Sequence, residues 1–249
     1  MKRLKLEYHR LWKLLPGGLP LPSSTLITGK GGTGKPLVEL AFVASWLKNG
    51  GSAIGIPLQF RTMEFVKNAM LNLYGIDLQD YKGRIAYVGF DSMVAGTERI
   101  SDDTFKTNLL KPELWDESIE AASNLIENKT ELLVFGSALN LLLFSPTYKD
   151  RMHNKIREIL ETDKTRSYIF SVSNNVLGDQ IATWERAADN LIFTRMEKPM
   201  RLFLKISRMK NAPFSTEEVK VPISQGMLKE MKAVAGATRK RTIPVIMNI

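Results

Sequence analysis

Short apolar runs alternate with longer amphipathic segments through the first two thirds of the chain. The short runs are β-prone and lie at residues 23–29, 53–58, 84–90, 131–135 and 167–172. The longer segments repeat their apolar residues at helical spacing and lie at residues 37–47, 62–74, 113–127 and 149–160. Because strands that alternate with helices form a parallel sheet covered on its faces, the pattern predicts an α/β fold with a parallel or mostly parallel sheet.

The pattern changes towards the C-terminus. Three β-prone runs at residues 190–195, 201–207 and 218–223 are joined by short connections with no long helix between them. We therefore predict an antiparallel extension at one edge of the sheet. Residues 91–112 are polar and irregular and are expected to lie on the surface. Because the sequence has no repeat, low-complexity tract or linker, residues 1–249 are expected to form one domain.

The C-terminal segment, residues 226–249, is predicted to hold a short helix, a basic cluster and a β-prone tail. The tail at residues 242–247 reads TIPVIM and is rich in β-branched and apolar side chains. It could form a last strand in the chain's own sheet or add a strand to the sheet edge of a partner. We favour the first, because the termini of compact domains usually pack on their own fold.

Composition excludes several classes of chemistry. The chain has no cysteine and only two histidines, His9 and His153. Disulfides, thiolate metal sites and a cysteine nucleophile are therefore excluded, and a histidine-based triad or zinc site is nearly so. The longest apolar run, residues 132–144, is interrupted by polar residues and is shorter than the ~20 residues that a membrane span needs. We expect a cytoplasmic protein with no membrane association.

The formal net charge of the chain is +9. A basic balance attracts polyanions such as nucleic acid, acidic lipid or an acidic partner. The basic residues are scattered along the sequence, so an ordinary solvated cationic surface explains the same charge equally well.

A glycine-rich motif follows the first predicted strand. Residues 29–35 read GKGGTGK and match the pattern G-x-x-x-x-G-K. Its glycines let successive backbone N–H groups curl around phosphate oxygens, and its lysine adds a positive charge at the β- and γ-phosphates. The motif also precedes a predicted helix, whose N-terminus attracts anions. The predicted phosphate-binding residues are Gly29, Lys30, Gly31, Gly32, Thr33, Gly34, Lys35, Pro36 and Leu37.

The region around this motif resembles a known family. Residues 14–20 read LLPGGLP, and residues 23–35 read SSTLITGKGGTGK. This opening is similar to that of the KaiC-like proteins of the RecA superfamily, which include archaeal-type RadA paralogues, and the resemblance extends over about residues 11–224. It implies a RecA-like P-loop ATPase core, commonly assembled into rings with ATP at the subunit interfaces.

Three positions depart from the family pattern. The residue after the motif lysine is a serine or threonine in the family, where its hydroxyl binds Mg²⁺, but it is Pro36 here. The glutamate that activates the attacking water corresponds to Gln59, which can orient water but cannot accept its proton. The aspartate of the Walker B strand corresponds to Gly136. Three losses, all affecting metal and water, indicate a degenerate ATPase.

At a fourth family feature, the chain retains positively charged residues. The resemblance implies that a Lys-x-Arg-Gly stretch on an edge strand contacts the nucleotide of a neighbouring subunit, and here this stretch corresponds to Arg208, Met209, Lys210 and Asn211. Arg208 and Lys210 are therefore candidates for a contact in trans, although two exposed basic residues at a strand end are an equally good interpretation.

These observations favour a non-hydrolysing KaiC-like protein that acts as a regulatory or accessory subunit. It is expected to bind ATP or ADP weakly, without protein-coordinated magnesium, and to associate with itself or with a RecA-like homologue. One alternative is a DNA-binding recombinase paralogue in DNA repair. Another is an active ATPase in which Asp91 or Glu64 replaces a lost carboxylate.

Overall fold

The computed structural model describes residues 2–60, 62–129 and 131–249, with the backbone alone at residues 9, 10 and 12. In chain order, the strands are β1 (Lys2–Leu4), β2 (Leu19–Leu21), β3 (Ser24–Thr28), β4 (Ser52–Pro57), β5 (Ile85–Phe90), β6 (Thr97–Arg99), β7 (Thr104–Thr107), β8 (Leu132–Ser137), β9 (Ser167–Ser171), β10 (Asn190–Glu197), β11 (Arg201–Arg208) and β12 (Glu218–Lys220). The helices are α1 (His9–Leu14), α2 (Lys35–Lys48), α3 (Glu64–Tyr74), α4 (Pro112–Ser123), α5 (Lys149–Thr162), α6 (Gly178–Ala187) and α7 (Gln225–Met247), with 3-10 turns at Leu78–Tyr81 and Leu139–Phe144.

Strands β3 to β12 form one sheet in the order β12-β11-β10-β3-β9-β8-β4-β5-β7-β6. The neighbours from β10 to β7 are all parallel, whereas β11 and β12 at one edge and β6 at the other edge are antiparallel. The predicted α/β class and the antiparallel C-terminal edge are confirmed. Residues 91–112 are more regular than predicted, because β7 adds a parallel strand beside β5.

The sheet separates two apolar cores. Along β8, Leu133 and Phe135 face the core that contains α2, and Leu132 and Val134 face the core on the other side. This division follows from the two-residue period of a strand, and it explains why the run reads as continuously apolar. Helix α2 packs against β3, β4, β8 and β9, and it is buried along nearly its whole length.

The C-terminal segment differs from the prediction. It forms one helix of 23 residues, α7, so the expected β-strand at its end is wrong. Ser224 caps the helix by accepting a hydrogen bond from the N–H of Met227. Leu228, Met231 and Ala235 bury one face of the helix in the core. In the last turns, Ile246 is buried in the core on the other side of the sheet. This packing outweighs the strand propensity of these turns, which include Pro244 and its missing N–H.

No helix in the described part of the chain is both long and apolar enough to cross a membrane.

Candidate functional site

The glycine-rich loop joins the end of β3 to the start of α2. Three of its glycines have backbone angles that side chains disfavour, with φ of 140° at Gly29, 78° at Gly32 and 68° at Gly34. A β-carbon on Gly29 would lie 2.2 Å from the carbonyl oxygen of Thr194 on β10. The loop can therefore pack this tightly against the next strand only because that position is glycine.

Lys35, the motif lysine, is held inside this loop. Its Nζ donates to the carbonyl oxygens of Gly29 at 3.0 Å and Lys30 at 2.7 Å, and to Oγ1 of Thr33 at 3.3 Å. The residue is only 5% exposed. Burial, with a smaller contribution from the nearby Arg239, lowers the pKa of Lys35 to about 7. The ammonium is thus partly titrated at neutral pH.

A cavity of about 120 Å³ opens above the loop, at the carboxyl ends of the parallel strands. Strands β4, β8 and β9 lead into its walls, and α7 contributes Met231, Lys232, Ala235, Arg239 and Ile243. The loop residues from Gly31 to Pro36 form its floor. One loop donor is already engaged, because the N–H of Gly31 donates to Oδ1 of Asn175 at 2.8 Å.

The structure brings together two of the three degenerate positions. Pro36 and Gln59 both line the cavity. Gln59 is 8% exposed, and its Nε2 has no hydrogen-bond partner among the described residues. Gly136, in contrast, is not part of the lining. A β-carbon at Gly136 would lie 3.1 Å from Cδ2 of Leu139 and 3.3 Å from Cδ1 of Phe170, so this position faces hydrocarbon.

A buried carboxyl group that is not among the residues predicted from the sequence lies near the loop. Glu39 lies one helical turn after Lys35 in α2 and is 2% exposed, and its Oε2 has no partner within the described ranges. Burial raises the pKa of Glu39 to about 8, although a hydrogen bond with Ser171, which lines the cavity, acts in the opposite direction. Glu39 is therefore mostly uncharged at neutral pH. A single acidic residue within the apolar run from Leu37 to Leu47 was the signal available in the sequence.

Comparisons with known proteins show the family and the fold of the chain. The sequence profile of the KaiC ATPases matches residues 9–245. The chain belongs to the KaiC family. Among solved structures, it is similar to a KaiC-like protein from Pyrococcus horikoshii OT3, with 17% identity, a TM-score of 0.68 and coverage of 90% of this chain and 96% of the other. It is also similar to the flagellar accessory protein FlaH of Methanocaldococcus jannaschii, with 19% identity, a TM-score of 0.63 and coverage of 89% and 94%. The comparison with curated protein sequences gives no match.

The two structural neighbours confirm the RecA-like P-loop fold of this KaiC-family chain.

The two carboxylates considered as replacements lie elsewhere in this KaiC-family chain. Asp91 pairs with Lys106, with 3.4 Å between Oδ2 and Nζ, and it lines a separate cavity beside Phe60 and Arg241. Glu64 is exposed in the first turn of α3. Neither residue lines the cavity above the phosphate loop.

Arg208 and Lys210 lie near the start of β10, at the end of the sheet opposite the phosphate loop. Arg208 donates to the carbonyl oxygens of Glu185 and, at 2.6 Å, of Ala188, both at the end of α6. Lys210 pairs with Asp189, with 2.7 Å between Nζ and Oδ1. Both charges therefore have partners within the chain, and a contact with the nucleotide of a neighbour stays a prediction.

Proposed function

We propose that this KaiC-family protein binds the phosphate groups of a nucleotide without magnesium and does not hydrolyse them. The observation that carries the proposal is the composition of the cavity wall. Among the residues that line it, Lys35, Lys232 and Arg239 are cationic and none is acidic. Such a wall suits an anion and offers no carboxylate to a metal or to an attacking water.

The donor set of the cavity fits phosphate. Gly32 and Gly34 keep their N–H groups free of acceptors within the described residues. The ammonium of Lys35 lies in the same loop, where its hydrogen bonds go to Gly29, Lys30 and Thr33, and it would turn from these acceptors to a bound phosphate. Gln59 adds a buried amide donor. The loop and the start of α2 would hold the phosphate oxygens, and the cavity walls would exclude water from them.

The same donor set does not fit magnesium. In P-loop ATPases this ion neutralises charge between the β- and γ-phosphates, and it is held by a hydroxyl after the motif lysine and by a nearby carboxylate. Pro36 has no hydroxyl, and the β-carbon position of Gly136 is surrounded by hydrocarbon. No group of three acidic or histidine side chains suited to a metal occurs in the described ranges.

Titration calorimetry with ATP and ADP, each with magnesium and with a chelator, tests the proposal. We expect binding that changes less than threefold between the two conditions and no phosphate release above background. Lys35→Ala should abolish binding, whereas the control Lys48→Ala removes the same charge at the far end of α2 and should leave it unchanged. Magnesium-dependent turnover that disappears in Lys35→Ala would contradict the proposal.

A chain that binds nucleotide without turnover acts through association, and we propose that it is a regulatory or accessory subunit. Its partner is then a second copy or an active RecA-like homologue. The measurement is the ATP turnover of such homologues with and without this protein. Lys210→Ala is the preferred variant for testing a contact in trans, because Arg208 also holds the end of α6. If no homologue changes its turnover or binds, the regulatory proposal fails.

DNA binding is a second candidate, favoured by one feature of α7. Beside the two cations that face the cavity, this helix carries exposed basic side chains at Lys229, Lys240 and Arg241. Phosphate contacts by these residues would make the affinity for DNA fall steeply with salt. A flat salt dependence, or no binding in low salt, would remove this candidate.

A further inference from the structure

Helix α7 places two basic side chains at the phosphate-loop cavity from a distant part of the sequence. A β-carbon built on Gly32 would lie 3.9 Å from Cε of Lys232, and one built on Gly31 would lie 3.7 Å from Nη1 of Arg239. Both side chains therefore reach the residues that cradle phosphate. This contact joins the loop to a helix about 200 residues further along the chain.

The spacing of the two residues explains their common direction. Lys232 and Arg239 are seven positions apart, which is nearly two turns of a helix, so their side chains leave the same face about 10 Å apart along the axis. Ala235 lies between them on that face and is buried in the core. Its small side chain lets α7 approach the loop closely enough for both cations to reach the cavity.

Among the described residues, no carboxylate neutralises either cation. Arg239 donates through Nε to the carbonyl oxygen of Ala235 in its own helix, and within the described ranges it makes no other hydrogen bond. Lys232 has no hydrogen bond or ion pair within the described residues. The two therefore add uncompensated positive charge beside Lys35, in a wall without acidic residues. Gathering like charges is unfavourable unless an anion joins them, because opposite charge at short range offsets their repulsion.

We propose that Lys232 and Arg239 of α7, together with the loop and the Gln59 amide, complete a magnesium-independent site for the terminal phosphate groups of a polyphosphate. This inference rests on the proposed phosphate binding and specifies which residues replace the charge of the metal. The ammonium and the guanidinium would supply, at the terminal phosphate groups, the positive charge that magnesium supplies in active P-loop ATPases. Gln59 contributes its buried and unpartnered Nε2 as a further donor.

The size of the cavity specifies the ligand further. Its volume of about 120 Å³ is well below the 300–1,000 Å³ typical of pockets that enclose a drug-sized molecule. The cavity therefore accommodates phosphate groups, and a ribose and base would lie outside it. Inorganic diphosphate and the phosphate end of ADP share the recognised chemistry. We expect both to bind with affinities within about tenfold of each other.

The experiment is titration of the full chain with sodium diphosphate and with ADP, both in the presence of a chelator. Lys232→Gln and Arg239→Gln should each lower the affinity for both ligands about tenfold or more, as expected for a lost charge-assisted hydrogen bond. The matched controls are Lys229→Gln and Lys240→Gln, which remove one charge each from exposed positions of the same helix outside the cavity. They should change the affinity less than twofold.

A conservative variant separates a lost charge from a misplaced helix. Arg239→Lys keeps a cation at the cavity and should retain most of the affinity that Arg239→Gln loses. Thermal unfolding of each variant shows whether α7 still packs.

The remaining outcomes separate the two proposals. Binding by the wild type that is unchanged in both glutamine variants would overturn the role of α7 and leave magnesium-independent phosphate binding intact. Binding of ADP without binding of diphosphate would overturn the assignment of the ligand class. No binding of either ligand, or binding only with magnesium, would overturn both proposals.

Discussion

Lys35 on α2 and Arg239 on α7 face the same cavity, and the positive charge of Arg239 adds to burial in lowering the pKa of Lys35. The two side chains come from opposite ends of the chain, yet they share one electrostatic environment. The protonation of the phosphate-loop lysine thus depends on the packing of the C-terminal helix.

The first prediction concerns protons and anion binding. With its pKa at about 7, Lys35 is increasingly deprotonated in the free protein above that pH. A bound phosphate favours the charged form and raises this pKa, so binding takes up protons and the affinity falls as pH rises from 7 to 9. Calorimetry in buffers of different ionisation enthalpy measures the number of protons taken up on binding. Arg239→Gln should reduce it, and an affinity that is constant between pH 6 and 9 would contradict the prediction.

The second prediction concerns Glu39 and stability. Its folded-state pKa of about 8 exceeds the ordinary value of 4.5, so the folded protein binds more protons than the unfolded chain between these values. Its contribution to stability is fully present below pH 4.5 and is lost as pH rises through 8. Glu39→Gln should therefore raise the free energy of unfolding by about 1–3 kcal/mol at pH 9 and change it little at pH 5.

Urea unfolding at the two pH values checks this difference. The control is Glu158→Gln, which removes an exposed carboxylate from α5 and should shift stability by less than about 0.5 kcal/mol at either pH. Equal effects of Glu39→Gln at pH 5 and pH 9 would show that the buried carboxyl group does not titrate in this range.

The third prediction concerns the degenerate Walker B position. Gly136→Asp restores the family residue but places a carboxylate against Leu139 and Phe170. We expect a loss of about 3 kcal/mol or more in the free energy of unfolding, because the group is buried among hydrocarbon without a partner. Gly178→Asp is the control, since a side chain there meets nothing within 4 Å in the first turn of α6. Equal stability of the two variants would indicate that β8 reorganises to admit an aspartate.

The fourth prediction separates the two residues considered for a contact in trans. Arg208→Ala should lower stability by about 1–2 kcal/mol, because the carbonyl oxygens of Glu185 and Ala188 lose a charged donor. Lys210→Ala should cost less than about 1 kcal/mol, since its side chain is 51% exposed and Asp189 keeps its ion pair with Lys164. Urea unfolding of both variants tests this order, and the reverse order would contradict the hydrogen bonding described above.

Local sequence determined much of the fold of this chain. The alternation of apolar runs with helical periodicity was enough to predict β3, α2, β4, β5, β8 and β9, because strands buried on both faces of a sheet are continuously apolar in sequence. It was not enough for β6 and β7, which lie in a polar segment. The phosphate loop could also be predicted from the sequence alone. Its glycines, lysine and flanking elements are contiguous, and the angles at Gly29 and Gly34 restrict the choice of residue at those positions.

Tertiary structure alone decided the rest of the site. The strand propensity of residues 242–247 suggested a strand, but they form the end of α7, where Ile246 is buried in the core on the other side of the sheet from Leu228 and Met231. That helix brought Lys232 and Arg239 to the phosphate loop. A short stretch of sequence predicts neither the full length of α7 nor its contact with the phosphate loop. Both depend on apolar surface that is buried between segments about 200 residues apart. The sequence by itself therefore determined the loop, and the long-range packing of α7 decided which charges surround it.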